Sequence, residues 1–363
     1  MSVFNKSNDA WKTGVYPLFL GQEMGLLDTV NTPYPKLFEL YKLQKSLDWD
    51  EEEVNLEQSR QDMMTCQRST YDIMIKNLAF QSELDSVASR AIAPLLAPFI
   101  TNTELWLGVT KISEIENLHA ICYTTIIRNC VKDTDEFFLE VVKNEQITNR
   151  STKVVEVFNE LQRIGALYTL DRDSIPRNDI IKVLIKAYVA LYCLERLQFM
   201  SSFAATFAVA EQGIMVGIAK LVQKISQDEQ VHAAFDEEVI RILQKDKEFS
   251  EQMKLIKPEI QGIVDEVVQQ ELAWNDYLFS EGRSIVGLNS TLLSEWVFYN
   301  AQVVYSFLGL KNPHPKIKDI PLTWMNDWLD VNKFQNANQE ADNNNYSLNV
   351  VISDLDENEE LEF

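Results

Sequence analysis

Two Glu-x-x-His tetrads, Glu116-Asn117-Leu118-His119 and Glu229-Gln230-Val231-His232, use two of the three histidines in this chain of 363 residues. Each follows a solitary acid at a similar interval, since Asp85 stands 31 residues before Glu116 and Glu195 stands 34 before Glu229. In an α-helix positions i and i+3 share a face, so each tetrad aims a carboxylate and an imidazole in the same direction. The interval lets one helix run out and the next run back, which returns the lone acid to the level of its tetrad. The spacing therefore predicts an all-α chain with two helical pairs, each giving one acid and one Glu-x-x-His to a shared two-metal site.

Helical angles choose among neighbouring acids. Glu114 lies five residues from His119, roughly 140° around the helix, whereas Glu116 lies on the same face. A single Glu-x-x-His is ordinarily a surface i,i+3 pair. Two of them, with matched upstream acids and apolar neighbours (Leu118 and Ile121; Val231 and Phe235), point inward instead. The carboxylates of Asp85, Glu116, Glu195 and Glu229 would repel one another in a dry core and be driven toward protonation, while a pair of divalent cations balances their charge. Hard oxygen donors with one imidazole per ion suit iron or manganese, and the absence of cysteine from the set disfavours copper(I) and structural zinc.

The rest of the chain fits a large helical body. The candidate ligands must converge, which favours one large domain over the two that length alone would give. Only 11 glycines and 10 prolines interrupt it, and 46% of residues are hydrophobic. Four cysteines, Cys66, Cys122, Cys130 and Cys193, form no C-x-x-C pair and are read as reduced thiols of a cytoplasmic protein. Neither a leader pattern nor a run of about 18 apolar residues occurs, so no export and no membrane span is expected. A net charge of −22 argues against nucleic-acid binding, which requires a basic surface.

Residues 1–35, rich in Gly and Pro, are expected to form an irregular arm lying over the surface. Residues 36–333 make the helical domain. Within it, helices are expected over 113–128, from 178 through Glu195 to 220, over 225–243, and from Pro258 to 281; Pro94 and Pro98 mark a kink or join. Breaks near 148–152 and 171–176 supply a longer crossover between the helical pairs. Residues 334–363 form an acidic tail, with eight acids and no Lys or Arg from 335 on. It is too polar to pack alone and is suited to docking on a partner, with Leu361 and Phe363 as its apolar contacts.

Beside the ligands, Tyr123 follows His119 by four residues and so faces the same way, Phe199 and Phe203 follow Glu195 at i+4 and i+8, and Ile225 precedes Glu229 by one turn. Taken alone, such aromatics are ordinary core packing. The chain, however, resembles the small (β, R2-type) subunit of class I ribonucleotide reductase, a ferritin-like helical protein. The likeness runs from Gly25-Leu26-Leu27-Asp28 and Leu47-Asp48-Trp49 through Leu84-Asp85-Ser86, Glu116 to His119, Tyr123 to Asn129, Leu194-Glu195 and Asp228 to His232. It implies that Asp85, Glu116 and His119 hold one iron and Glu195, Glu229 and His232 the other. Manganese or a mixed pair is the alternative.

It further implies that the metals activate O2, that Tyr123 carries a stable radical, and that Phe199, Phe203 and Ile225 shield it. Asp228 and Trp49 would lead the radical outward, and Tyr346 in the tail would continue toward the large (α) subunit, where ribonucleoside diphosphates are reduced. The protein is expected to be a homodimer. Gln227 departs from the family pattern, in which arginine is common before the Asp of the second tetrad. A self-contained di-iron oxygenase or desaturase, with a nearly identical ligand pattern, and a ferritin-like iron store are the rival readings.

Overall fold

The computed structural model describes residues 4–330, and everything regular in it is helical. In chain order the helices are α1 (Ala10–Thr13), α2 (Pro35–Ser46), α3 (Glu57–Thr65), α4 (Arg68–Leu96), α5 (Thr103–Cys130), α6 (Thr134–Lys143), α7 (Glu145–Leu170), α8 (Arg177–Cys193), α9 (Phe199–Ala210), α10 (Val216–Lys245), α11 (Lys247–Leu255), α12 (Lys257–Leu278), α13 (Ser290–Phe307) and α14 (Met325–Leu329). A π-helical turn, Leu194–Gln198, joins α8 to α9 without a break. Among the described residues there is no strand, only the isolated bridges Phe19 to Ile100 and Ile285 to Leu288.

Four long rods surround the core: α4, α5, α10, and the composite of α8, π turn and α9. The first pair packs along its length, α10 packs against the composite rod, and α4 meets α9 while α5 meets α10. This is a ferritin-like bundle. Outside it, α2 crosses α5 and α10, and α7 packs on α4, α8 and α12. The helices start where the local chemistry directs. The Asn102 side chain accepts from the Leu105 N–H to cap α5, and Asp133, Asn144, Asp246 and Asn289 cap α6, α7, α11 and α13 in the same manner. The sharp return before α10 uses Gly213 at φ 75° and Met215 at φ 54°, and the Met215 N–H is held by Asp62 on α3. Where α5 crosses α10 only glycine fits at Gly108, because a methyl group there would run into the Phe235 ring.

Three expectations need correction. The chain turns back at 211–215, inside the helix expected from 178 to 220, so α10 begins at Val216 and not near 225. Residues 148–152 are not a connection but the interior of α7, so the crossover between the helical pairs is itself built of α6 and α7. Thr148 and Thr152 read as breakers, yet the Thr152 hydroxyl donates back to the Thr148 carbonyl within the helix. The arm is irregular apart from α1, but it does not lie wholly on the surface. Tyr16, Leu18, Phe19 and Leu20 are buried, and Asp28 accepts from the Tyr16 hydroxyl while its N–H donates to Thr103 at the start of α5. The apolar run Leu18-Phe19-Leu20 is what pulls it inward. Pro94 falls in the last turn of α4, and Pro98 in the link to α5.

Behind the π turn a buried ion pair joins α7 to α12. Arg150 makes a two-pronged contact with Glu271, Nε to Oε1 at 2.6 Å and an Nη to Oε2 at 2.7 Å. The same guanidinium donates to the Gln198 carbonyl, Gln198 Nε2 donates back to the Arg150 carbonyl, and Phe80 of α4 covers the guanidinium face at 3.6 Å. Removing one member of a buried pair strands the other's charge. Arg150→Met is expected to lose about 3–5 kcal/mol of stability in chemical denaturation, and an unchanged midpoint would show that the pair contributes nothing.

Candidate metal centre

The six ligand candidates reach one point from four elements. Asp85 comes from α4, Glu116 and His119 from α5, Glu195 from the π turn, and Glu229 and His232 from α10, and none is more than 1% exposed. Their donor atoms fall into two groups, Asp85 with Glu116, His119 and Glu229, and Glu116 with Glu195, Glu229 and His232, each group lying within 4.8 Å. Glu116 and Glu229 belong to both.

Their oxygens are divided between the histidines. Glu116 presents Oε2 to His119 Nδ1 at 3.6 Å and Oε1 to His232 Nδ1 at 3.0 Å, while Glu229 presents Oε1 to His119 Nδ1 at 3.1 Å and Oε2 to His232 Nδ1 at 2.7 Å. A carboxylate with one oxygen toward each of two donor groups could serve an ion on either side. The three-plus-three division read from the sequence thus becomes a centre with Glu116 and Glu229 common to both halves, which spacing alone does not reveal. Glu114, by contrast, points outward to Lys111.

Electrostatics mark the cluster as incomplete without cations. Apart from these close approaches to one another, both oxygens of Asp85, Glu116 and Glu229, one of Glu195, His119 Nδ1 and both nitrogens of His232 have no hydrogen-bond partner although buried. Unpartnered buried donors and acceptors of this density are otherwise costly. Burial pushes the Asp85 and Glu195 carboxyls well above their usual range, and repulsion from neighbouring carboxylates adds to it. Burial alone would lower His232, but Glu229 and Glu116 outweigh it and raise the imidazole to about 10. Against the effect of burial, the two imidazoles hold Glu116 the other way, well below the usual carboxylate range, so the cluster calls for compensating positive charge. The donor set fits a pair of hard divalent ions.

Tyr123 is fully buried on α5 and its hydroxyl has no partner; burial, with the charge of Asp85 behind it, raises the phenol well above its usual range. Phe199, Phe203 and Ile225 are equally buried, and the two rings stack at 5.9 Å. The π turn, with its i→i+5 bonds, intervenes between Glu195 and these rings, so their phase is not the simple i+4 and i+8 of an α-helix. On the other side of His119, Asp228 Oδ2 lies 3.0 Å from Nε2 and accepts from Trp49 Nε1 at 2.7 Å, and the Trp49 and His119 rings are 6.2 Å apart. Tyr346 lies outside the described residues.

Sequence reasoning missed three neighbours. Gln44 on α2 donates to Asp228 Oδ1 at 2.7 Å. Asp236, one turn beyond His232, is buried beside a small cavity lined by Ile92, Val109, Leu191 and Phe235 that ends on Glu195 and His232. Lys224 stands by Trp49. Only Asp236 carried a signal, its helical phase with Glu229 and His232.

Comparison with known proteins agrees with this geometry. The family described as ribonucleotide reductase, small chain, matches residues 27–321. The ribonucleoside-diphosphate reductase subunit beta of Haemophilus influenzae is 30% identical over 356 residues, covering 94% of each chain. Among solved structures, the ribonucleotide reductase R2 subunit of Clostridium botulinum has a TM-score of 0.77 at 20% identity, covering 91% of this chain and 98% of its own. The Streptococcus sanguinis dimanganese(II)-NrdF has a TM-score of 0.66 at 16% identity, covering 79% of this chain and 93% of its own. At these identities the two structures speak for the fold.

The pH behaviour of the metal-free protein follows from the raised groups. His232 is held near 10 in the folded chain against an ordinary 6.5, so its contribution is complete below about pH 6.5 and is lost as pH rises toward 10. Raised carboxyls act with the same sign. The melting temperature of metal-free protein is expected to fall between pH 7 and 10, and that of metal-loaded protein to fall less, because bound ions replace the protons. Parallel curves for the two forms would contradict the assignment.

Proposed function

The chain belongs to the ribonucleotide reductase small-chain family, and on that premise we propose that its metal centre is used to make and keep a radical on Tyr123 for the catalytic large subunit. As a class I small subunit it is one half of a ribonucleoside-diphosphate reductase, and the large subunit is its partner. The observation that carries the reading is the division of the Glu116 and Glu229 oxygens between the two histidines, close to a buried tyrosine with an unpartnered hydroxyl.

In this reading Asp85, Glu116 and His119 hold one ion and Glu195, Glu229 and His232 the other, with Glu116 and Glu229 shared. Iron is the proposed metal. Manganese, present in the Streptococcus sanguinis protein, is the alternative that the same oxygen and imidazole donors accept. When bound and supplied with O2, the ions provide the oxidising power to remove an electron and a proton from Tyr123. The protein does the rest. Burial of Tyr123 excludes water and soluble reductants, and Phe199, Phe203 and Ile225 supply apolar surroundings without a proton donor.

Asp228 joins His119 to Trp49 by hydrogen bonds, which gives a continuous route from the centre to a half-buried indole. Tyr346 and the docking tail 334–363, which lie outside the described residues, are proposed to continue it. Assembly as a homodimer, reduction of diphosphates on the large subunit and a cytoplasmic location belong to the same proposal; among the described residues no helix is long and apolar enough to cross a membrane. A stand-alone oxygenase or desaturase, or an iron store, is not favoured, because the relatives that match along nearly the whole chain are reductase subunits.

The test strips the metal, adds ferrous iron or manganese(II) with O2, and records the electron paramagnetic resonance spectrum. Wild type is expected to give a tyrosyl signal and Tyr123→Phe none; a mutant that keeps the signal contradicts the assignment. Deleting 340–363 is expected to leave the signal and to lower turnover with the large subunit by more than tenfold. Turnover with the large subunit unaffected by the deletion would contradict the docking role of the tail.

A further inference from the structure

Trp49 stands in the irregular segment 47–56 between α2 and α3, partly exposed and packed against the core. Two lysines reach this segment from the two helices that carry the Glu-x-x-His tetrads. Lys111 stands five residues before Glu116 and Lys224 five before Glu229. Lys111 Nζ lies 2.6 Å from Asp48 and 3.2 Å from Glu114, and Lys224 Nζ lies 2.6 Å from Glu53.

The two pairs are unequal. Asp48 is 52% exposed and must share Lys111 with Glu114, so solvent screening and competition leave that pair weak. Lys224 and Glu53 are 20% and 25% exposed, and the Lys224 ammonium also lies 5.7 Å from the centroid of the Trp49 ring, within cation–π range. The indole is thus held at its Nε1–H by Asp228 and at its face by a cation that Glu53 keeps in place.

We propose that Lys224 is a positioning residue for electron passage through Trp49. The inference rests on the reading of Trp49 as the relay between the metal centre and the large subunit. The Asp228 hydrogen bond holds one edge of the ring and His119 stacks beside it. The ammonium adds a restraint at the ring face, and it ties the Trp49 segment to α10, the helix that carries Asp228, Glu229 and His232. Small displacements along such a route cost large factors in rate. The centre itself and Tyr123 are untouched by this contact, so radical formation and radical transfer separate in the experiment.

Lys224→Met keeps the length and apolar stem and removes the charge; Lys224→Gln keeps a polar tip and guards against a folding defect; Lys224→Arg keeps the cation. After loading with ferrous iron and O2, all are expected to show a Tyr123 signal within twofold of wild type. With the large subunit, Met and Gln are expected to lose at least tenfold in kcat without a change in the affinity of the two subunits, and Arg to return within threefold of wild type. Trp49→Phe is measured alongside and is expected to be inactive with its tyrosyl signal intact. If Trp49→Phe is inactive while Lys224→Met turns over within twofold of wild type, or if Arg is as poor as Met, the role of Lys224 is overturned and the relay reading stands. If Trp49→Phe itself turns over normally, the relay reading fails and takes the role of Lys224 with it.

Discussion

Four carboxylates buried within a few ångströms of one another are the constraint around which the rest of this structure is arranged. Taking each charge out of water costs several kcal/mol even after relaxation, and mutual repulsion adds to that. Here Asp85, Glu116, Glu195 and Glu229 share one dry space with two imidazoles, and seven of their eight oxygens have no hydrogen-bond partner. Protons can neutralise the set only by occupying carboxylates and imidazoles that would otherwise serve as ligands. A pair of divalent cations neutralises it while using every donor, and two of the carboxylates already have one oxygen turned to each side.

Holding such a cluster requires a frame that does not relax around it. The four rods are long and closely packed, and a close crossing, Gly108 against Phe235, lies between the two helices that supply the tetrads. The π turn lets the rod that carries Glu195 keep apolar contacts above and below while offering its carboxylate inward. Arg150 and Gln198 fasten the end of that turn to α7, and Glu271 extends the hold to α12. The same rigidity serves the redox role. The radical proposed for Tyr123 would survive only where water and thiols cannot reach, and the proposed route outward would run through groups held at fixed contact, as His119, Asp228 and Trp49 are.

Much of this was legible in the sequence because helical periodicity converts spacing directly into direction. Glu116 could be preferred to Glu114, and Tyr123 placed on the ligand face, from angles alone. What the sequence hid is what depends on tertiary contact. Sharing of Glu116 and Glu229 needs the two tetrads face to face, and Gln44 meets Asp228 across 184 positions of chain. The π turn carries no compositional signature in Leu194-Glu195-Arg196. The threonines at 148 and 152 carry a misleading one, since their local preference for breaks yields to the packing of α7 on α4, α8 and α12. The burial of Leu18 to Leu20 was masked by the prolines and glycines around them.

The central claim is that six side chains from four elements would hold two ions, with Glu116 and Glu229 common to both donor groups. Crystals of metal-loaded protein, measured at the absorption edge of the bound metal, test it most directly through anomalous scattering. The account predicts two peaks about 3.5–4 Å apart, one beside Asp85 and His119, the other beside Glu195 and His232, with Glu116 and Glu229 touching both. A single peak, or peaks displaced from these side chains, would contradict it.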